Sequence, residues 1–152
     1  MRKLLLTTVI AATAATGAFA QSASDTAKAR RAYFTLVNYE MATLGGMAQG
    51  KIDYDADAAS AAAKDLLALA SYTNADLFAE GTSNEDLLGE TRAKADIWAD
   101  TAGLQEKSAA FYQAVVDLND AAGNGLDAMR PAVGKIGGTC KACHDDFRAK
   151  DF

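Results

Sequence analysis

Both cysteines and the single histidine of the chain lie together near the C-terminus, in the stretch GGTCKACHDDFRAK. Cys140, Cys143 and His144 form the pattern C-x-x-C-H. On a helix, residues three and four positions apart share a face, so the two thiols and the imidazole would point the same way. Two thiols at this spacing can add to the two vinyl groups of one haem, and the adjacent imidazole can then bind its iron. The pattern therefore predicts one covalently bound haem c per chain, with His144 as the axial ligand.

Three other kinds of site use the same side chains. A structural disulfide between Cys140 and Cys143 would suit an exported chain, but it fits poorly inside a regular helical turn and leaves His144 without a role. A thioredoxin-like redox pair normally opens a helix after a strand, and the sequence has no strand-rich pattern. A structural zinc site needs four ligands, and only three good ones are present. Haem is favoured, and a C-x-x-C thiol–disulfide oxidoreductase remains the alternative from another functional class.

The first twenty residues, MRKLLLTTVIAATAATGAFA, have the features of a secretory signal. Two basic residues precede a short apolar run that ends in Ala-Phe-Ala, a small-x-small cleavage site. Thr and Gly interrupt this run, which falls short of the ~20 apolar residues that a membrane-spanning helix needs. We therefore expect residues 1–20 to be a cleaved signal peptide. Residues 21–152 should then form one periplasmic domain that does not insert into the membrane.

The charge of the chain argues against polyanionic partners. The whole sequence has 15 Lys and Arg residues against 20 Asp and Glu residues, a formal net charge of −5. Without the two basic residues of the signal, 13 basic against 20 acidic residues give −7 for the exported chain. Such a surface is unfavourable for binding nucleic acid or anionic membranes. Neither is expected as a partner.

Four segments of the mature sequence carry apolar residues in steps of three and four, and abundant alanine with a single proline favours helix throughout. We predict helices over residues 24–49, 57–80, 95–122 and 126–150, with Asp57 as the N-cap of the second. The connections between them are short, so consecutive helices must lie side by side. The sequence predicts an all-α fold, an up-down-up-down antiparallel four-helix bundle.

No second histidine is available for the other axial position of the iron, because His144 is the only one in the chain. Methionine is the usual alternative and gives a low-spin electron carrier. Met41 lies on the inward stripe of the first helix, although methionine more often serves as core packing. Two arrangements follow: a five-coordinate iron with an apolar side chain over its open face, and a low-spin, methionine-ligated electron carrier of the same fold.

The mature sequence resembles cytochrome c′, a family of exported bacterial haem proteins. The similarity spans residues 21–150 and rests on ARRAYFTLV, GKIDYDA, LFAEGT, IWAD and GGTCKACHDDFR, in that order. The resemblance implies a high-spin, five-coordinate haem that binds nitric oxide and carbon monoxide. It also implies electron transfer with a redox partner that the sequence does not identify, and commonly a homodimer. We expect no enzymatic turnover of its own.

The resemblance also assigns residues around the haem. Arg30 falls where relatives place an arginine near the haem propionates, and Arg31 falls beside it. Phe34 takes the distal position, which a bulky apolar side chain occupies in relatives. Glu90 and Thr91 fall in the connection that approaches the haem edge. The predicted cofactor-binding set is Cys140, Cys143, His144, Arg30, Arg31, Phe34, Glu90 and Thr91.

Apolar residues outside the inward stripes of the first two helices indicate a second buried face. We expect these apolar residues to form a homodimer contact. The residues concerned are Tyr33, Leu36, Ile52, Leu67 and Tyr72.

Overall fold

The computed structural model describes residues 21–72 and 75–152, so the predicted signal peptide lies outside the described residues. The helices are α1 (Ala23–Ala48), α2 (Ala56–Ser71), α3 (Asp96–Ala99), α4 (Thr101–Ala121) and α5 (Leu126–Phe147), with a 3₁₀ helix at Ala75–Phe78. The four long helices pack as a ring in which α1 contacts α2 and α5, and α4 contacts the same two helices. The predicted all-α four-helix bundle is confirmed. No described helix combines the length and apolar character needed to cross a membrane.

Aspartate caps fix two helix starts that the periodicity misplaced. The Asp55 side chain accepts a hydrogen bond from the Ala58 backbone N–H at 2.7 Å, so α2 begins two residues earlier than the predicted cap at Asp57. The Asp100 side chain accepts one from the Gly103 N–H at 2.9 Å. Each cap satisfies an N–H that the first helical turn leaves unpaired. The predicted third helix is therefore divided into α3 and α4 at Asp100.

The predicted second and fourth helices extend too far. Instead of reaching residue 80, α2 ends at Ser71, and the following Tyr72 has extended backbone, with φ −65° and ψ 127°. Instead of reaching residue 150, α5 ends at Phe147, because Arg148 becomes extended and forms an antiparallel bridge with Ala93. The bridge to Ala93, which lies in the connection between α2 and α4, sets the end of α5. Tertiary contacts of this kind override local helix propensity.

The largest fully buried apolar side chains lie together in one half of the bundle. Leu44 comes from the C-terminal half of α1, Leu66 from α2, Leu118 from the C-terminal half of α4, and Met129 and Ile136 from the N-terminal half of α5. All five belong to one hydrophobic cluster and are fully buried. The motif C-x-x-C-H lies in the opposite half, toward the C-terminal end of α5.

Tyr54 ties the first connection to the turn between α4 and α5. Its hydroxyl donates to the Ala122 carbonyl at 2.8 Å and accepts from the Gly125 N–H at 3.0 Å. Removing both bonds leaves two partners to be satisfied by water, so Tyr54→Phe should lower the free energy of unfolding by about 1–3 kcal/mol. Urea denaturation measures this. Tyr112→Phe is the control, because Tyr112 is 44% exposed, and an equal loss there would contradict the assignment.

Candidate functional site

The other half of the bundle surrounds a cavity of about 700 Å³. Its walls are the middle of α1, the C-terminal end of α2, the N-terminal half of α4, the C-terminal half of α5, and part of the connection between α2 and α4. Protein interiors are normally packed to the density of organic crystals, so a void of this size within a bundle marks a place for another molecule. Its volume falls within the range of small-molecule and cofactor sites.

Cys140, Cys143 and His144 line this cavity from α5. The helix is continuous through all three, and their spacing of three and four places them on one face. Both cysteines are half-buried free thiols. Burial raises the pKa of the Cys140 thiol, and it also raises the pKa of Cys143, where the neighbouring Cys140 adds to the effect. The cavity therefore has two protonated thiols, one helical turn apart, on a single wall.

The His144 imidazole is held in its neutral form. Partial burial lowers the pKa of His144, and the positive charge of Arg92 lowers it further, whereas Asp145 opposes the shift. A neutral imidazole keeps a lone pair on one ring nitrogen, and this is the form that binds metals. The side chain opens on the cavity beside the two thiols.

The three side chains do not form a compact metal centre. Within residues 21–72 and 75–152, no group of three or more His, Cys, Asp and Glu side chains is arranged to hold a metal ion. A zinc site needs its ligands to converge on one point, about 2.0–2.3 Å from each donor atom. Placed along one helix face beside a large cavity, the same residues suit a group much larger than a single ion.

Arg30 lines the cavity but directs its N–H groups to the protein. Its Nη1 donates to the Leu77 carbonyl at 2.9 Å and to Thr82 Oγ1 at 2.8 Å. Its Nη2 donates to the Thr82 carbonyl at 2.7 Å and to Thr91 Oγ1 at 3.0 Å. The guanidinium carbon lies 5.6 Å from the centre of the Phe78 ring. Arg30 is only 4% exposed, so these contacts enclose it.

The other residues of the predicted set divide between the cavity and the surface. Arg31, Phe34 and Thr91 line the cavity. Phe34 is 43% exposed, whereas the adjacent Tyr33, which also lines the cavity, is buried. Glu90 is not among the lining residues: its carboxylate accepts a hydrogen bond from the Ser24 hydroxyl at 2.6 Å and ties the connection to α1. The structure thus brings together seven of the eight predicted residues.

Positive charge concentrates at this cavity although the chain has more acidic than basic residues. Five basic side chains and no acidic one are found among the described residues that line it. Such a lining attracts an anionic group, and arginine in particular pairs well with carboxylates. The five are Arg30, Arg31, Arg92, Lys107 and Arg148.

Three of these five basic residues, Arg92, Lys107 and Arg148, were not in the predicted cofactor-binding set. Lys107 lies between Leu104 and Phe111 on one face of α4, and all three line the cavity, so helical periodicity could have identified it. Arg92 lies in the connection, where its backbone carbonyl accepts from the Ala149 N–H at 2.8 Å. Helical periodicity cannot predict which residues of an irregular connection face the cavity.

The residues at this cavity fit a haem. Two thiols and an imidazole share one wall, basic side chains suit the two propionates, and apolar side chains from five helical elements suit the porphyrin plane. The apolar lining includes Met41, Phe78, Ile97, Leu104, Phe111 and Phe147.

Similar proteins point to the same cofactor. Residues 25–148 match the family model described as Cytochrome C'. Cytochrome c′ of Cereibacter sphaeroides is 51% identical over 150 residues, covering 99% of each chain. A solved structure of cytochrome c′ from Rhodobacter spheriodes, also 51% identical, has a TM-score of 0.84 and covers 86% of this chain and 99% of that one.

Two solved structures of cytochrome c′ from Alcaligenes xylosoxidans contain diatomic ligands. A carbon monoxide-bound variant is 32% identical, with a TM-score of 0.74, covering 85% of this chain and 98% of that one. A ferrous variant with bound NO is 30% identical, with a TM-score of 0.76, covering 87% and 99%. Cytochrome c′ is itself a standard example of the up-down four-helix bundle. The chain belongs to the cytochrome c′ family, whose members are c-type cytochromes with covalently bound haem.

Proposed function

We propose that this protein is a periplasmic gas-binding haem protein that also transfers electrons and has no enzymatic turnover of its own. In this proposal Cys140 and Cys143 form the two thioether bonds, and His144 is the one axial ligand from the protein. The observation that carries the proposal is the placement of all three side chains on one wall of the cavity. A bound haem supplies an iron that takes small ligands and changes its oxidation state by one electron.

The side chains around the cavity would have different roles in binding the cofactor and its ligands. The neutral imidazole of His144 offers its lone pair to the metal, because burial and Arg92 lower its pKa. The basic side chains of the lining balance the carboxylates of the cofactor. From α1, Phe34, Val37 and Met41 present an apolar surface. Such a surface suits small uncharged ligands such as nitric oxide and carbon monoxide, which the Alcaligenes xylosoxidans relatives bind.

The test is carbon monoxide titration of the reduced, purified protein. We expect a saturable change in the Soret band with one ligand per chain, because one axial position would be free. A reduced protein whose spectrum does not respond to carbon monoxide would contradict a vacant axial position.

Phe34 should control access to the cavity from the α1 side. Replacing its ring with a methyl group removes bulk from the cavity wall, so Phe34→Ala should raise the carbon monoxide association rate by about tenfold or more, equivalent to about 1.4 kcal/mol of barrier. Stopped-flow mixing measures the rate. Tyr112→Ala is the control, since Tyr112 is 44% exposed, lies on α4 beside the cavity residue Phe111 and does not itself line the cavity. Equal rates for Phe34→Ala and the parent would show that Phe34 does not obstruct the ligand.

One observation supports the alternative of a low-spin, methionine-ligated electron carrier. Met41 lines the cavity, whereas Met47 and Met129 are buried and are not among its lining residues. Met41 is therefore the described methionine best placed to reach the metal. The Met41→Ala variant separates the two hypotheses: a five-coordinate site keeps its ligand-free spectrum, and a methionine-ligated site loses its low-spin bands.

We also propose that the protein forms a homodimer through α1 and α2. Leu36, Tyr39 and Tyr72 are 53%, 68% and 53% exposed. Leu36 and Tyr72 line a shallow depression between the two helices together with Ala68, Leu69 and two acidic residues, Glu40 and Asp65. Two residues predicted for this contact, Tyr33 and Leu67, instead pack in or against the core.

Sedimentation velocity tests the dimer. The parent protein should sediment as a dimer at micromolar concentration, and Leu36→Glu should shift it to a monomer, because a carboxylate placed in a buried apolar contact is costly. Leu88→Glu is the matched control, because Leu88 is 83% exposed and lies outside α1 and α2, so the same substitution there should leave the dimer intact. A monomeric parent protein would refute the proposal.

A further inference from the structure

Arg30 makes contacts that binding a propionate would not require. Four hydrogen bonds of 2.7–3.0 Å connect its guanidinium to three residues far along the chain, Leu77, Thr82 and Thr91. The residues joined are 47, 52 and 61 positions from Arg30 in sequence. These bonds use both N–H groups of each terminal nitrogen. Only the Nε–H remains for a group in the cavity.

The segment held in this way, residues 77–91, forms part of the cavity wall. Phe78 near its start and Thr91 at its end both line the cavity. The Phe78 ring lies beneath the Arg30 guanidinium, and the Phe78 carbonyl accepts a hydrogen bond from Trp98 Nε1 at 2.9 Å. The segment has almost no regular secondary structure, so helix hydrogen bonds do not fix its position.

Among the described residues Arg30 has no Asp or Glu partner. Burying a charged group is unfavourable unless hydrogen bonds replace its hydration. The four oxygens supplied by residues 77–91 provide that replacement, and bonds from a charged donor are stronger than neutral ones. Removing the guanidinium would therefore loosen the segment, which the Ser24–Glu90 hydrogen bond would still tie to α1. Moving the segment away would in turn leave the guanidinium unsatisfied.

We propose that Arg30 is a positioning residue that clasps residues 77–91 against α1, and that this clasp holds the cavity wall closed and slows the entry of small ligands. The part of the proposal that concerns ligand entry depends on the proposed gas-binding function, whereas the clasp itself does not. Geometry distinguishes a clasp from a simple positive charge, because one guanidinium fork spans oxygens on three residues that a single ammonium nitrogen cannot reach together.

Hydrogen–deuterium exchange on the haem-loaded protein tests the clasp. In Arg30→Gln, amides of residues 77–91 should exchange about tenfold to hundredfold faster than in the parent, since several charge-assisted hydrogen bonds are lost. Arg30→Lys should fail to restore protection although it keeps the charge. Thr91→Val and Thr82→Val keep the arginine, remove one acceptor hydroxyl each, and should accelerate exchange in the same segment. Lys28→Gln is the matched control, because it removes an exposed cation from α1 without touching the segment.

The carbon monoxide association rate should rise in the same variants, by several-fold in Arg30→Gln and less in the threonine variants. Parental exchange in both threonine variants, full rescue by Arg30→Lys, or unchanged association rates alongside faster exchange would each overturn the proposal. If Arg30→Gln does not fold, hydrogen–deuterium exchange in the two threonine variants still tests the clasp. A parent protein that fails to bind carbon monoxide would refute the proposed function instead, while the exchange measurements would still test the clasp.

Discussion

Cys140→Ser/Cys143→Ser is expected to give a protein without covalent haem when it is exported from a host that matures c-type cytochromes. The two thiols are half-buried on the cavity wall, and no other cysteine exists in the chain to replace them. Serine hydroxyls cannot form the thioether bonds. The intact mass of the variant should equal that of the mature chain alone, whereas the mass of the parent should include one haem.

Ala142→Ser is the matched control for this double variant, since it adds a hydroxyl inside the same motif and keeps both thiols. It should retain one covalent haem. The double variant should also unfold at a lower temperature than the parent, because half of its bundle surrounds a cavity of about 700 Å³ that the cofactor would otherwise fill. A parent protein with the mass of the bare chain would remove the basis for haem and revive the thiol–disulfide alternative.

His144→Gly should have the second large effect, the loss of the axial ligand while both thioether bonds remain. His144 is the only histidine in the chain, so no other imidazole can take its place. The spectrum of the reduced variant should differ from that of the parent. Added imidazole should restore the parental spectrum, because the deleted side chain leaves space for it at the cavity wall. Optical titration with imidazole measures the rescue.

Covalent haem attachment provides an internal control, because His144→Gly keeps both Cys140 and Cys143. The intact mass of this variant should still include one haem. A parental spectrum in His144→Gly before imidazole is added would contradict the assignment of the axial ligand. If the variant lost the parental spectrum and imidazole did not restore it, His144 would support the site in another way than by direct ligation.

Local features of the sequence predicted most of what the structure contains. Helical periodicity gave the four long helices and put Cys140, Cys143 and His144 on one face, because residues three and four apart depend only on helix geometry. The resemblance to a known family placed Arg31 and Phe34 at the cavity, and both line it. These predictions need no knowledge of the connection between α2 and α4.

Contacts between distant segments could not be predicted in the same way. Arg30 reaches Thr91 across 61 positions, and no local pattern indicates that its N–H groups go to the protein. Glu90 and Thr91 are neighbours, yet only Thr91 lines the cavity, because the path of an irregular connection decides which side chain turns inward. Tyr33 and Phe34 likewise differ in burial although both are aromatic, since one step along a helix rotates the side chain by about 100°.

The most direct test of the central claim is the optical spectrum of the reduced, purified protein before and after addition of nitric oxide. The proposal predicts the broad bands of a high-spin, five-coordinate haem, which nitric oxide converts to a new spectrum. A colourless protein, or a sharp low-spin α-band that nitric oxide leaves unchanged, would contradict it.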